Sequence, residues 1–187
     1  DHKQWDYRHR PMHKWLLIFL ALICTNTYSE IGKISELRGN GEVLRANQSG
    51  KLSAKTDLDI HSYDDVRTGN GRIGIEFLDS SIIRLTEHSK IIIDEYIYDP
   101  DPSKSKMALQ MASGTARFIT GALGKIDKEN ISVRTPTATI AIRGTDFTTT
   151  VDELGRSLVI LLPRTDGTSS GEITVASLAG VEILNKP

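Results

Sequence analysis

From residue 31 onward the chain is written as short apolar–polar alternations cut by glycine-rich turns. In Arg72-Ile-Gly-Ile-Glu-Phe-Leu the side chains of Ile73, Ile75 and Phe77 share one side of a period of two. The same period places Ala116 with Phe118, Ile131 with Val133, Ile140 with Ile142, and Phe147 with Thr149 and Val151. A repeat of two over four to seven β-branched or aromatic residues predicts strands, because successive side chains of a strand point to opposite faces. Ser157-Leu-Val-Ile-Leu-Leu is apolar throughout, which predicts a strand buried on both faces. Glu172-Ile-Thr-Val and Val181-Glu-Ile-Leu are the last strands predicted.

The punctuation fits this reading. Arg38-Gly-Asn-Gly, Thr68-Gly-Asn-Gly and Asp166-Gly supply residues that tolerate positive φ, and the prolines of Asp99-Pro-Asp-Pro end pairing. Residues 104–112, KSKMALQMA, contain good helix formers, but Leu109 and Met111 suit a strand and Gly114 follows at once. We read a strand. Ten or more strands spaced 8–14 residues apart, with no fixed-period repeat, give an all-β domain: a solenoid, sandwich or barrel. DPDPSKSK (99–106) is the connection expected to be most exposed.

The first thirty residues follow other rules. After Met12 come His13 and Lys14, the apolar run WLLIFLALIC and then TNTYSE, the three parts of a secretory signal. Thr27 and Ser29 fit the small positions before a cleavage site, so the mature chain is expected to start near Glu30. The run over residues 15–24 is shorter than the roughly twenty residues that span a bilayer, so no stable membrane anchor is expected. Cys24 ends this run, but Ile23 before it is not the small residue that lipid attachment wants. The expected organisation is therefore an upstream segment or extended n-region at 1–11, a signal peptide at 12–29 and one domain at 30–187, placed in the periplasm or outside the cell.

Removing residues 1–29 changes the charge. They hold four of the 23 Lys/Arg and two of the 24 Asp/Glu, leaving 19 basic and 22 acidic residues in the mature part, net -3. Without a basic excess, neither nucleic acid nor an anionic membrane is expected as the main partner. The sole cysteine also goes with the signal, so core packing rather than disulfides must hold the exported domain together.

Reactive-looking residues do not assemble into a recognisable centre. Gly-Thr-Ser-Ser-Gly at 167–171 matches the G-x-S-x-G nucleophile elbow in form, but the strand Glu172-Ile-Thr-Val follows it and no histidine comes later. Asp57, Asp59, His61, Asp64 and Asp65 crowd one stretch, yet Ser62 and Thr68 occupy the places where a calcium loop needs Gly and Glu. That stretch is expected to be a solvated strand edge and turn. His61 and His88 are too far apart in sequence to suggest a zinc site. Asp64-Asp65 and Asp94-Glu95 point to opposite faces if they lie in strands. Aromatic residues, the usual platforms for sugars, make up only 6% of the chain. No catalytic, metal or cofactor residues are therefore assigned.

Two blocks carry a resemblance. Tyr63-Asp-Asp-Val-Arg-Thr-Gly-Asn-Gly-Arg-Ile-Gly-Ile-Glu-Phe-Leu-Asp-Ser-Ser-Ile-Ile-Arg-Leu and Thr135-Pro-Thr-Ala-Thr-Ile-Ala-Ile-Arg-Gly-Thr-Asp-Phe resemble the FecR-domain family. The likeness covers roughly residues 31–185. Ser80 departs from it, standing where the family commonly has Gly in an Asp-Gly-Ser turn. The resemblance implies an exported β-rich domain with a β-solenoid-like build in the signalling members. There it is the periplasmic part of an anti-sigma regulator that meets the signalling domain of a TonB-dependent transducer. About fourteen residues precede the apolar run here, too few for a sigma-binding region, so the likeness is to a free-standing secreted domain.

The residues on which the likeness rests are Asp65, Thr68, Gly69, Phe77 and Asp79 in the first block. In the second they are Thr135, Pro136, Thr137, Arg143, Gly144, Thr145, Asp146 and Phe147. Their expected role is mainly structural: Pro136 favours an extended Thr135, Gly144 allows a geometry closed to side chains, Arg143 pairs with Asp146, and Phe147 returns to the core. The expected function is a non-enzymatic, protein-interacting or sensory module of the bacterial envelope, needing no cofactor. The partner implied is an envelope protein such as a transducer's signalling domain. A cell-wall or polysaccharide-binding module is the second reading, and a glycan hydrolase the third.

Overall fold

The computed structural model describes residues 29–125, 130–168 and 171–186. Residues 12–28 of the expected signal peptide and residues 169–170 of the Gly-Thr-Ser-Ser-Gly match lie outside them. In chain order the strands begin with β1 (Glu30–Arg38), β2 (Gly41–Leu44), β3 (Lys51–Ser53), β4 (Asp59–His61) and β5 (Asp65–Thr68). They continue with β6 (Arg72–Phe77), β7 (Ile82–Leu85), β8 (Lys90–Ile97), β9 (Lys106–Ile119) and β10 (Ile131–Arg134). The last are β11 (Ala138–Arg143), β12 (Phe147–Val151), β13 (Ser157–Leu161), β14 (Glu172–Ser177) and β15 (Gly180–Leu184). Two single turns of 3-10 helix, Pro102–Lys104 and Ala122–Lys125, flank β9. The protein is all-β, and residues 104–112 contribute to a strand, as their apolar spacing predicts.

The ladders resolve into two sheets that share β9. One, here sheet A, runs β4-β1-β6-β7-β9-β12-β13; the other, sheet B, runs β3-β2-β5-β8-β9-β10-β11-β14-β15. Strand β9 belongs to sheet B through pairing of Lys106–Ser113 with β8, and to sheet A through pairing of Gly114–Phe118 with β12. The bend between the halves falls at Gly114, whose φ of 83° lies in the left-handed region. A Cβ there would run into the backbone and side chain of Ser89, so only glycine fits both the turn and the contact.

The alternations read from sequence point inward from both sheets. Ile34, Ile73, Ile75, Ile83, Leu85 and Phe147 from sheet A join Val66, Ile91, Ile93, Leu109, Val133 and Ile140 from sheet B in one buried cluster. The solenoid-like part of the expectation does not describe this pairing. Stacked coils of a solenoid pair in parallel, whereas here β9–β10 is parallel and the other described ladders are antiparallel. Short hairpin connections are part of the physical reason: the turns between β6 and β7, β10 and β11, and β14 and β15 are two to four residues long and can only bring the next strand back antiparallel.

A second correction concerns β13. Its apolar run predicted burial on both faces, but β13 pairs with β12 alone and forms the edge of sheet A. Leu158 is 58% exposed and Ile160 46%, while Leu161 is buried in the core. At the far edge of sheet B, β15 exposes Val181 and Ile183 in the same way.

Candidate functional site

Most residues of the two blocks lie where one sheet is tied to the other; Asp65 and Arg143 do not. The first tie centres on Asp79, in the turn after β6. Its carboxylate accepts hydrogen bonds from the Ser81 hydroxyl (2.6 Å), the Ser81 amide (3.2 Å), the Tyr96 hydroxyl (3.0 Å) and the Leu123 amide (3.1 Å). Tyr96 stands on β8 of sheet B and Leu123 in the 3-10 turn after β9, so one buried acid joins three segments. Asp79 is 3% exposed and would be costly to bury without these donors. The Tyr96 ring stacks on Phe77 with centroids 5.2 Å apart. Burial, followed by the adjacent Asp79 charge, pushes the Tyr96 hydroxyl far above its usual 10.0, so it stays protonated as a donor.

The second tie starts at Thr68, the end of β5. Its hydroxyl donates to the Thr86 carbonyl (2.6 Å) and accepts from the Ser89 amide (2.8 Å). The Ser89 hydroxyl in turn accepts from the Thr115 amide (3.0 Å), one residue past the bend of β9. Gly69 closes the same turn: its amide donates to Asn40 O (3.1 Å), and a Cβ on it would strike the Asn40 side chain. Asp65 lies apart from this chain, on the outer face of β5. Its carboxylate takes a two-pronged contact from Arg67 (3.0 and 2.8 Å) and an ion pair from Lys90 (3.5 Å).

The third tie is the Thr-Pro-Thr turn between β10 and β11. The Thr135 hydroxyl accepts from the Ala138 amide (2.9 Å), which shapes the turn, and meets the Ser157 hydroxyl at 2.6 Å. Thr137 donates to Gly155 O (2.9 Å) and also meets Ser157 (2.9 Å). Pro136 rests against Gly155, where a Cβ would crowd its ring. The tip of a sheet-B hairpin is thereby hooked onto the β12–β13 turn of sheet A. That turn is closed by Asp152, whose carboxyl is held below its ordinary range by hydrogen bonds from Arg156.

The rest of the second block carries the chain from sheet B to sheet A. Gly144 has φ 60°, the left-handed geometry. The Thr145 side chain is buried, and its hydroxyl donates to Asp146 O (3.1 Å). Asp146 Oδ1 accepts from the Thr120 amide (3.4 Å), and Phe147 stacks on Phe118 with centroids 4.5 Å apart. The Arg143–Asp146 pairing is not formed. Arg143 is exposed, sits opposite Glu172 in the β11–β14 register, and makes none of the described ion pairs. The left-handed Gly144 turns the chain between the two residues.

The acidic stretch at 57–65 also differs from expectation in one residue. Asp64 is not solvated but 1% exposed. It accepts from the His61 amide (2.9 Å) and lies 3.7 Å from Arg45 Nε. Burial pushes its carboxyl up, against the lowering effects of the His61 amide and Arg45. No local pattern marks the burial of Asp64, nor Tyr96, Ser89 and Ser157 as the far partners of the ties, whose contacts join residues 17 or more positions apart. His88 is exposed in a turn with φ 52°. Asp94 accepts from Gln110 Nε2 and Arg134, and Glu95 pairs with Lys106 at 2.8 Å, so the two acids face different partners. Among the described residues no three His, Cys, Asp or Glu side chains converge to hold a metal, and no helix is long and apolar enough to cross a membrane.

These features define a class: an all-β domain of two mainly antiparallel sheets, joined by buried polar side chains such as Thr68, Asp79, Ser81 and Ser89. The family is narrower. A family model described as FecR protein matches residues 64–163, just over half of the chain, and the chain belongs to that family. Comparison with curated proteins and with solved structures gave no match. Membership suggests an envelope signalling or regulatory role, in a family whose domains are generally non-enzymatic.

Proposed function

We propose that this is an exported, non-enzymatic FecR-type module that works by binding another protein of the cell envelope. In this reading residues 12–29 are cleaved as a signal peptide, the two family blocks hold the sheets together, and binding is left to the surface. The observation that carries it is the open side of the molecule. Edge strands β13 and β15 expose Leu158, Ile160, Val181 and Ile183, and a groove of about 410 Å³ lined by Val159, Val175 and Leu184 runs between the two sheets there. An edge strand offers unpaired backbone donors and acceptors to which an extended segment of a partner can add. A transducer's signalling domain is one such partner.

The test begins with protein expressed from Met12 in a bacterial host, recovered from the envelope and weighed intact. The mature start is expected near Glu30, and crosslinking of this material in envelope extract is expected to retain one protein reproducibly, without turnover of glycans or esters. Full-length cytosolic protein would contradict export. Hydrolysis that one carboxylate substitution abolishes, with no protein retained, would replace binding by catalysis.

A further inference from the structure

The outer face of sheet A carries an arrangement that the sheet-joining residues do not explain. Arg38 on β1 is directly opposite Arg72 on β6, and Arg84 on β7 is directly opposite Arg117 on β9. Residues opposed on neighbouring strands share a face, and like charges so placed destabilise a sheet. All four arginines line one groove of about 380 Å³, together with Gly74, the residue opposed to both Glu36 and Arg84. Glu36 is the one acid in this groove. It reaches Arg38 at 3.5 Å and Arg84 at 3.9 Å, and no ion pair is described for Arg72 or Arg117. In a mature chain that is net acidic, four arginines and one glutamate gather at one groove.

We infer that this groove is a docking site for an acidic, extended segment of a partner protein. Guanidinium groups recognise carboxylates through paired, planar hydrogen bonds, and two opposed arginine pairs present such forks from neighbouring strands. No aromatic side chain lines the groove, which disfavours a sugar ring as the occupant. The same face continues across the sheet, Arg117 opposing Thr148 on β12 and Thr148 opposing the exposed Ile160 on β13. A segment crossing the strands would thus meet charge at one end and apolar surface at the other. The inference rests on the protein-binding reading and adds to it the chemistry of the segment recognised.

The test uses the purified protein and defined probes, so its outcome is independent of whether an envelope protein is captured. A fluorescent decapeptide alternating Glu and Ser is titrated beside its Gln–Ser counterpart and beside pyrophosphate, with anisotropy or competition as the readout. The Glu peptide is expected to bind, more weakly as salt rises, and the Gln peptide not to bind. Arg84→Gln with Arg117→Gln is expected to weaken binding at least about tenfold. Its thermal midpoint should be unchanged or raised, since one like-charge pair has been removed. Glu36→Gln, which frees two guanidinium groups, is expected to tighten binding, an effect a purely structural glutamate would not have. Equal binding of the Glu and Gln peptides, or wild-type affinity in the double variant, would overturn the inference. So would binding of pyrophosphate without binding of the acidic peptide, which would make the groove a small-anion site instead.

Discussion

Ser80 occupies a backbone position suited to glycine. Its φ is 66°, it is exposed, and its carboxyl-side neighbour Ser81 is held by Asp79. Left-handed geometry costs an L-residue roughly 1–2 kcal/mol, part of which glycine gives back through its freer unfolded chain. Ser80→Gly is therefore expected to raise the urea midpoint, by about 0.5–1 kcal/mol in stability; a lowered midpoint would mean the serine side chain has a use the turn does not reveal. Gly144 is the opposite case, glycine already in place at φ 60°. Gly144→Val should destabilise by about 1–3 kcal/mol, and an unchanged midpoint would show that the position does not need glycine. Both sites were legible in sequence as turn positions. Their φ values were not, because a Ser-Ser or Arg-Gly pair is compatible with several turn types.

At the scale of elements, the tie between β6 and β8 makes stability depend on alkaline pH. The Tyr96 hydroxyl titrates far above 10.0 in the folded protein because it is buried and faces Asp79. Its folded value is raised, so the stability it contributes is fully present below about pH 10 and declines as pH rises beyond that, when the unfolded chain loses a proton that the folded chain keeps. One such group adds a slope of at most about 1.4 kcal/mol per pH unit. Urea unfolding of the wild type and Tyr96→Phe at pH 8, 10 and 11 is expected to show lower stability for the variant at pH 8 and a shallower decline above pH 10. Parallel declines would remove Tyr96 from this account. Strand β13 shows the limit of element reading. Its composition is that of a central strand, but whether a neighbour lies beyond it is decided by distant chain, and the ladder stops at β13.

At the scale of the molecule, period-two alternation and Gly-Asn turns were enough to specify an all-β domain, because each strand's inward face is written locally. The pairing order was not, since β9 reaches both β8 and β12 only through the bend at Gly114. The family blocks were visible as residue patterns, and their placement at inter-sheet ties depends on partners such as Ser89, Tyr96 and Ser157 that no local motif marks. Hence the central proposal: the blocks hold the sheets together, and the binding proposed above uses the exposed faces and edges. Hydrogen–deuterium exchange of the protein, with and without the envelope protein recovered by crosslinking, tests this most directly. The account predicts that the partner slows exchange on the outer strands, β13 or the arginine-bearing face of β6 and β7, while the amides of Ser81, Ser89, Leu123 and Ala138 exchange slowly and equally in both samples. If the partner's largest effect falls on those four amides instead, the blocks are the binding site and the account is contradicted.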